Sequence, residues 1–196
     1  MTNRKTIVAN TAVIIVCAEL LLILLSWYLA ATQTEGVRSL LSSEGIRWFF
    51  GQYTAVLLRS ELIWLLLASM AGGTLWRSDI MGRGDQNLRR TYALRISMVV
   101  FVILLIVVML LILVPHAVLL SSTGQLWPSP FSRASVPLLA LLIIVTSIFY
   151  GIVSRTFTSL VSIISSLTWG IEKASSLILL YIFAFHFYES LRYVFF

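Results

Sequence analysis

One stretch constrains this chain more than any other. Residues 7–30 run for two dozen positions with no Lys or Arg and a single acid, Glu19. About 20 predominantly apolar residues suffice to cross a bilayer as a helix. In hydrocarbon a backbone must satisfy its own polar groups, so an isolated run of this kind has to be helical. Similar runs follow at residues 56–76, 96–114 (ended by Pro115), 136–153 and 174–193. The reading is an all-α, polytopic membrane protein with about five transmembrane helices, forming a single transmembrane domain over residues 1–196. Composition agrees: only 11% of residues are charged, against about 25% in soluble domains. So few charges cannot cover a water-soluble surface, and so apolar a chain would not stay disordered.

Local detail refines the five runs. The first is longer than the roughly 7–15 apolar residues of a secretory signal, and residues 28–31 make a poor cleavage site, which predicts an uncleaved span. The second is less regular. Residues 45–58 mix Arg47, Trp48, Phe49, Phe50 and Tyr53 with apolar positions, and Arg59 and Glu61 follow. Residues 62–76 are too few to cross at 1.5 Å per residue. An interfacial lead-in helix that continues into a span from about Val56 is therefore expected. Between the fourth and fifth spans, residues 156–173 place Phe157, Leu160, Val161, Ile164, Leu167 and Ile171 at helical spacing among serines and threonines. That pattern predicts an interfacial amphipathic helix.

The 14 basic residues outnumber the 8 acidic ones. No DNA- or RNA-binding motif accompanies them, so nucleic acid is excluded as a partner. Membrane proteins gather Lys and Arg in cytoplasmic loops. Arg4 and Lys5, the five arginines of residues 77–95, and Arg155 with Lys173 all fall on one side of a five-span chain. This predicts an inner (cytoplasmic) membrane protein with its N-terminus inside and its C-terminus outside. Cys17 is the single cysteine; it can form no internal disulfide and reads as a small packing residue.

Ionisable groups inside hydrocarbon are costly and normally face protein or water. Glu19, near the middle of the first span, is either a proton or cation site or a carboxyl hydrogen-bonded to a neighbouring helix. His186 and Glu189 are three apart and share a helix face. Glu19 and His186 each lie about 12 residues into their spans, roughly 18 Å deep, so a contact between them is permitted. Arg59 is expected to snorkel toward lipid headgroups. Gly72 and Gly73 lie in a small-residue patch, residues 68–73, that suits close helix packing or a local break. Two histidines, one at a loop edge, are too few for a metal centre. No triad, P-loop or HExxH motif is present. No enzyme activity, cofactor or metal is expected.

Three stretches together resemble the p-aminobenzoyl-glutamate (AbgT) transporter family. The first is LLSSEGIRWFF at residues 40–50 with the apolar helix after it. The second is SPFSRASVPLLALLIIVTSIFYGIVSRTFTS at residues 129–159, ending in an aromatic-Gly-Ile turn. The third is IEKASSLILLYIFAFHFYES at residues 171–190, with a polar residue between two Phe. They occur in family order. The resemblance implies a longer transporter with two re-entrant hairpins and a pair of inverted repeats. Here a short arginine-rich loop, residues 77–95, stands where the first hairpin region is expected, and the sequence stops before the second. Transporters bind substrate at broken helices near the midplane, and none is evident, so no substrate-binding residue carries over. What the resemblance leaves is a reduced membrane scaffold in the bilayer, acting as a homodimer or with another membrane subunit. The other reading is an accessory subunit of an unrelated membrane complex.

Overall fold

The computed structural model describes residues 2–34, 36–57, 59–82, 88–113 and 130–196. Among them are six helices and no strand: α1 (Thr2–Ala31), α2 (Ser43–Leu57), α3 (Ser60–Arg77), α4 (Leu88–Leu113), α5 (Pro130–Val153) and α6 (Leu160–Phe195). Five segments are long and apolar enough to cross a membrane: Thr6–Ala31, Ser43–Arg77, Leu88–Leu111, Ala134–Val153 and Leu160–Phe195.

Burial is inverted relative to a water-soluble protein. Large apolar side chains such as Leu21 and Met98 are about two-thirds exposed, at 67% and 66%. The buried positions are dominated by small residues, including Ser26, Thr74, Ser97, Ser147, Ser166 and Ser190. Lipid tails are as apolar as leucine, so helices gain little from burying leucine and associate instead through small residues that permit close approach. Most of these hydroxyls bond back to a carbonyl one turn earlier: Ser26 to Ile23, Thr74 to Ala71, Ser97 to Ala93 and Ser166 to Ile163. Cys17 is exposed on α1, whereas its reading as a packing residue would have it buried.

The chain divides into two compact units. The first comprises Met1–Ile63 and Ser175–Phe196. At its start α1 ends with Gln33 in the left-handed region, φ 53°. The Gln33 N–H donates to Ala30 O at 3.1 Å and the Thr34 N–H to Leu29 O at 3.2 Å, a Schellman closure built without glycine. The returning strand of loop is pinned twice. Leu40 N–H donates to Ser26 Oγ at 3.1 Å, and Arg38 N–H to Val194 O at 3.1 Å. Ser42 then caps α2 by accepting the Gly45 N–H at 3.0 Å. A Cβ at Gly45 would lie 2.7 Å from Leu40 Cα, so this tight entry requires glycine. Leu22, Leu40 and Val194 form the core, flanked by Trp48, Phe49 and Leu191. α2 stops at Leu57, residue 58 lies outside the described residues, and Arg59 forms a bend before α3 starts at Ser60; Ser43–Arg77 together make one candidate span.

The second unit is Trp64–Ala174. Here α4 packs along α5, and α3 crosses the first part of α6. A Cβ added to Gly73 would fall 2.6 Å from Gly170 Cα, while one at Gly72 would meet nothing within 4 Å. Of the two candidate packing glycines, Gly73 therefore sits at a helix crossing. Gly72, one residue or 100° further round, is exposed and meets no described residue there. The helix is continuous through both. Between α5 and α6, the Phe157 N–H donates to Gly151 O at 2.9 Å, and its ring occupies the space above Gly151. Ser159 and Ser162 then cap α6 reciprocally at 3.3 Å each, with serine in the role usually taken by Glu or Gln. α6 runs unbroken for 36 residues, so the amphipathic stretch and the fifth span share one helix. At 1.5 Å per residue it is roughly 54 Å long, well beyond the ~30 Å hydrocarbon core.

Candidate functional site

The polar side chains singled out in the membrane spans gather in the first unit, around the break between α2 and α3. Residues 57–60 read Leu-Leu-Arg-Ser, with neither Pro nor Gly to signal an interruption. Arg59 lies outside both helices, and its Nη2 donates to Glu189 Oε1 at 2.8 Å. Its guanidinium also lies 4.6 Å from the centroid of the Phe185 ring. Arg59 is thus held by a carboxylate and an aromatic face within the chain, and does not simply snorkel to headgroups. Glu189 is almost fully buried, at 5% exposure, and the charge it brings into that environment is compensated by this one arginine.

His186, one turn before Ser190 on α6, is buried between two rings of α2. Its centroid is 4.6 Å from Phe49, edge to face, and 4.2 Å from Tyr53. Neither ring nitrogen has a hydrogen-bond partner. His186 and Glu189 therefore both meet residues 49–59. The permitted contact between Glu19 and His186 does not form. The α6 side chain beside the Glu19 carboxyl is Ser190. No hydrogen bond of ordinary geometry joins them, and Glu19 Oε1 and Ser190 Oγ are both buried and unpartnered. Unpaired buried polar atoms are rare in native structures and costlier still where no water reaches.

The cluster thus has two chemically distinct parts. Arg59 and Glu189 are mutually satisfied. Among the described residues, Glu19 Oε1, Ser190 Oγ and both His186 ring nitrogens make no hydrogen bond of ordinary geometry. Among the described residues no group of three His, Cys, Asp or Glu side chains is placed to hold a metal. Sequence reading missed Arg59 and Ser190 as parts of this cluster. A charge between two apolar runs was the available signal for Arg59. Ser190 gave none beyond standing one turn from His186.

Five candidate spans, small residues inside and leucines outside define a polytopic helical membrane protein. A profile of the AbgT putative transporter family matches residues 78–193, more than half of the chain. The chain belongs to the AbgT putative transporter family. The match contains all of residues 129–159 and 171–190, two of the three stretches that carried the resemblance, while residues 40–50 lie outside it. No curated protein and no solved structure matches the chain.

Proposed function

We propose that this chain is a reduced scaffold of an AbgT-type transport assembly in the inner membrane, N-terminus inside, and that it works with a second membrane subunit, either another copy or a different chain. The observation that carries the proposal is the unmet hydrogen-bonding capacity of Glu19, Ser190 and His186 in helices that cross the bilayer. In hydrocarbon such groups are retained where a partner helix or a water-lined path completes them. Family membership supports transport as the context, and the arginine bias of residues 77–95 supports the orientation.

Crosslinking in native membranes should trap a second copy or one stoichiometric membrane partner. Recovery of the monomer alone would overturn the proposal. The same membranes test Glu19. Glu19→Leu should leave thermal unfolding of the purified chain nearly unchanged, because no hydrogen bond of ordinary geometry to a described residue is lost, yet reduce the crosslinked fraction several-fold. Glu19→Gln should retain it. A Leu variant that unfolds while still crosslinking would place Glu19's role inside the chain. Purified chain in proteoliposomes should take up no p-aminobenzoyl-glutamate under a sodium or proton gradient. Uptake by the chain alone would rule out the scaffold reading.

A further inference from the structure

The end of the second unit where α3 stops, α4 starts and α5 stops carries positive charge that is only partly neutralised among the described residues. Arg77 closes α3, Arg89, Arg90 and Arg95 lie in the first turns of α4, and Arg155 follows α5. Arg90 is engaged by the protein itself. It pairs with the Asp79 carboxylate at 3.8 Å and donates to the carbonyls of Asp79 and Gly82. Arg89 donates a long 3.4 Å bond to Val153 O, which ties the start of α4 to the end of α5. Among the described residues the ion pairs are Arg59–Glu189 and Arg90–Asp79. No ion pair of Arg77, Arg89, Arg95 or Arg155 is found among the described residues.

Two of these four arginines share a cavity. Arg89 and Arg95 line it with Leu88, Thr91 and Tyr92; it is an open depression of about 480 Å³ on the surface of α4, not a closed chamber. Residues 88, 91, 92 and 95 are spaced to share one face of α4, and Thr91, Tyr92 and Arg95 are exposed on it. The apolar run of α4 begins at the next residue, Ile96. The cavity therefore lies where hydrocarbon gives way to headgroups, the level that tyrosine also favours.

The chemistry of the lining selects an oxyanion. Guanidinium groups bind phosphate oxygens with two parallel hydrogen bonds, the Thr91 and Tyr92 hydroxyls add donors, and the start of a helix favours negative charge. We propose that this cavity binds the phosphate group of an anionic phospholipid, with Arg89 and Arg95 as its principal ligands. Basic pockets at the membrane surface bind such headgroups. Arg90, held by Asp79, keeps the start of α4 in place beneath them.

The test uses the purified full chain in detergent, titrated with phosphatidylglycerol and, separately, with phosphatidylcholine or inorganic phosphate. Thermal unfolding is the readout. Phosphatidylglycerol should raise the unfolding temperature saturably, and phosphatidylcholine should not. Arg89→Gln combined with Arg95→Gln should weaken the apparent affinity roughly tenfold or more, since each basic residue near an anionic surface is worth about 1 kcal/mol. Arg95→Gln alone, at an exposed and unpaired position, serves if the double variant does not fold. Arg77→Gln combined with Arg155→Gln, outside the cavity, should retain most of the response. Equal losses from both pairs would show diffuse attraction and overturn the proposal. So would an unchanged response in the Arg89/Arg95 variant, or full stabilisation by inorganic phosphate alone.

Discussion

Arg59→Leu should destabilise the first unit by about 2–3 kcal/mol. Removing one member of a buried ion pair typically costs 3–5 kcal/mol, because the other charge is left uncompensated. Glu189, with a side chain 6% exposed, is that other charge, while the Arg59 side chain is 38% exposed and screening lowers the expected figure. The cation–aromatic contact with Phe185 is lost as well. Glu189→Leu leaves the more exposed partner behind and should cost less. The double variant should recover much of the loss, since two apolar side chains of similar volume often replace a buried pair at little net cost. Unfolding of the four proteins in detergent gives the coupling directly. Additive losses would mean that the 2.8 Å contact contributes nothing as a pair.

The adjacent glycines of α3 should separate even more sharply. Gly73→Leu places atoms where Gly170 and the Ser166 carbonyl already stand. Backbone cannot rotate aside as a side chain can, so the cost should reach or exceed about 3 kcal/mol, the upper end of ordinary overpacking. Even Gly73→Ala should be destabilising. Gly72→Ala should instead be neutral or stabilising by up to roughly 1 kcal/mol, the difference in helix propensity, because its Cβ enters open space. The same contrast should appear on α6, where a Cβ at Gly170 meets the Ser69 carbonyl. Similar unfolding temperatures for Gly72→Leu and Gly73→Leu would refute the crossing.

The fold class was legible because the bilayer imposes it on composition: a helix surrounded by lipid must be apolar on every side, and such runs need no periodicity to be noticed. The runs at 7–30 and 136–153 lie wholly within α1 and α5. Interruptions were harder to read. The break before Ser60 has no helix-breaking residue, and its visible correlate, the Arg59–Glu189 pair, joins positions 130 apart in sequence. The continuity of α6 was hidden by the serines of residues 159–166. They suggested a surface segment, yet Ser162, Ser165 and Ser166 bond to their own helix's carbonyls or to its cap. Depth counting from residue 174 places His186 opposite Glu19, whereas Ser190, one turn on, is the residue beside that carboxyl. The small-residue patch revealed that close approach was available but not on which face, so Gly72 and Gly73 were indistinguishable until α6 was placed.

The pairing of α1 with the last turns of α6 also fixes an order of assembly during biosynthesis. Ser26 receives the Leu40 N–H early, but Leu22 packs against Val194, and the Arg38 N–H bonds to Val194 O. These contacts wait until nearly all of the described chain has been made. The second unit, by contrast, is one uninterrupted stretch of sequence whose helices can associate as they are inserted. Contacts so distant in sequence form late. α1 therefore spends the interval in the bilayer without its partner from α6, and throughout that interval its Glu19 face is not yet covered by α6.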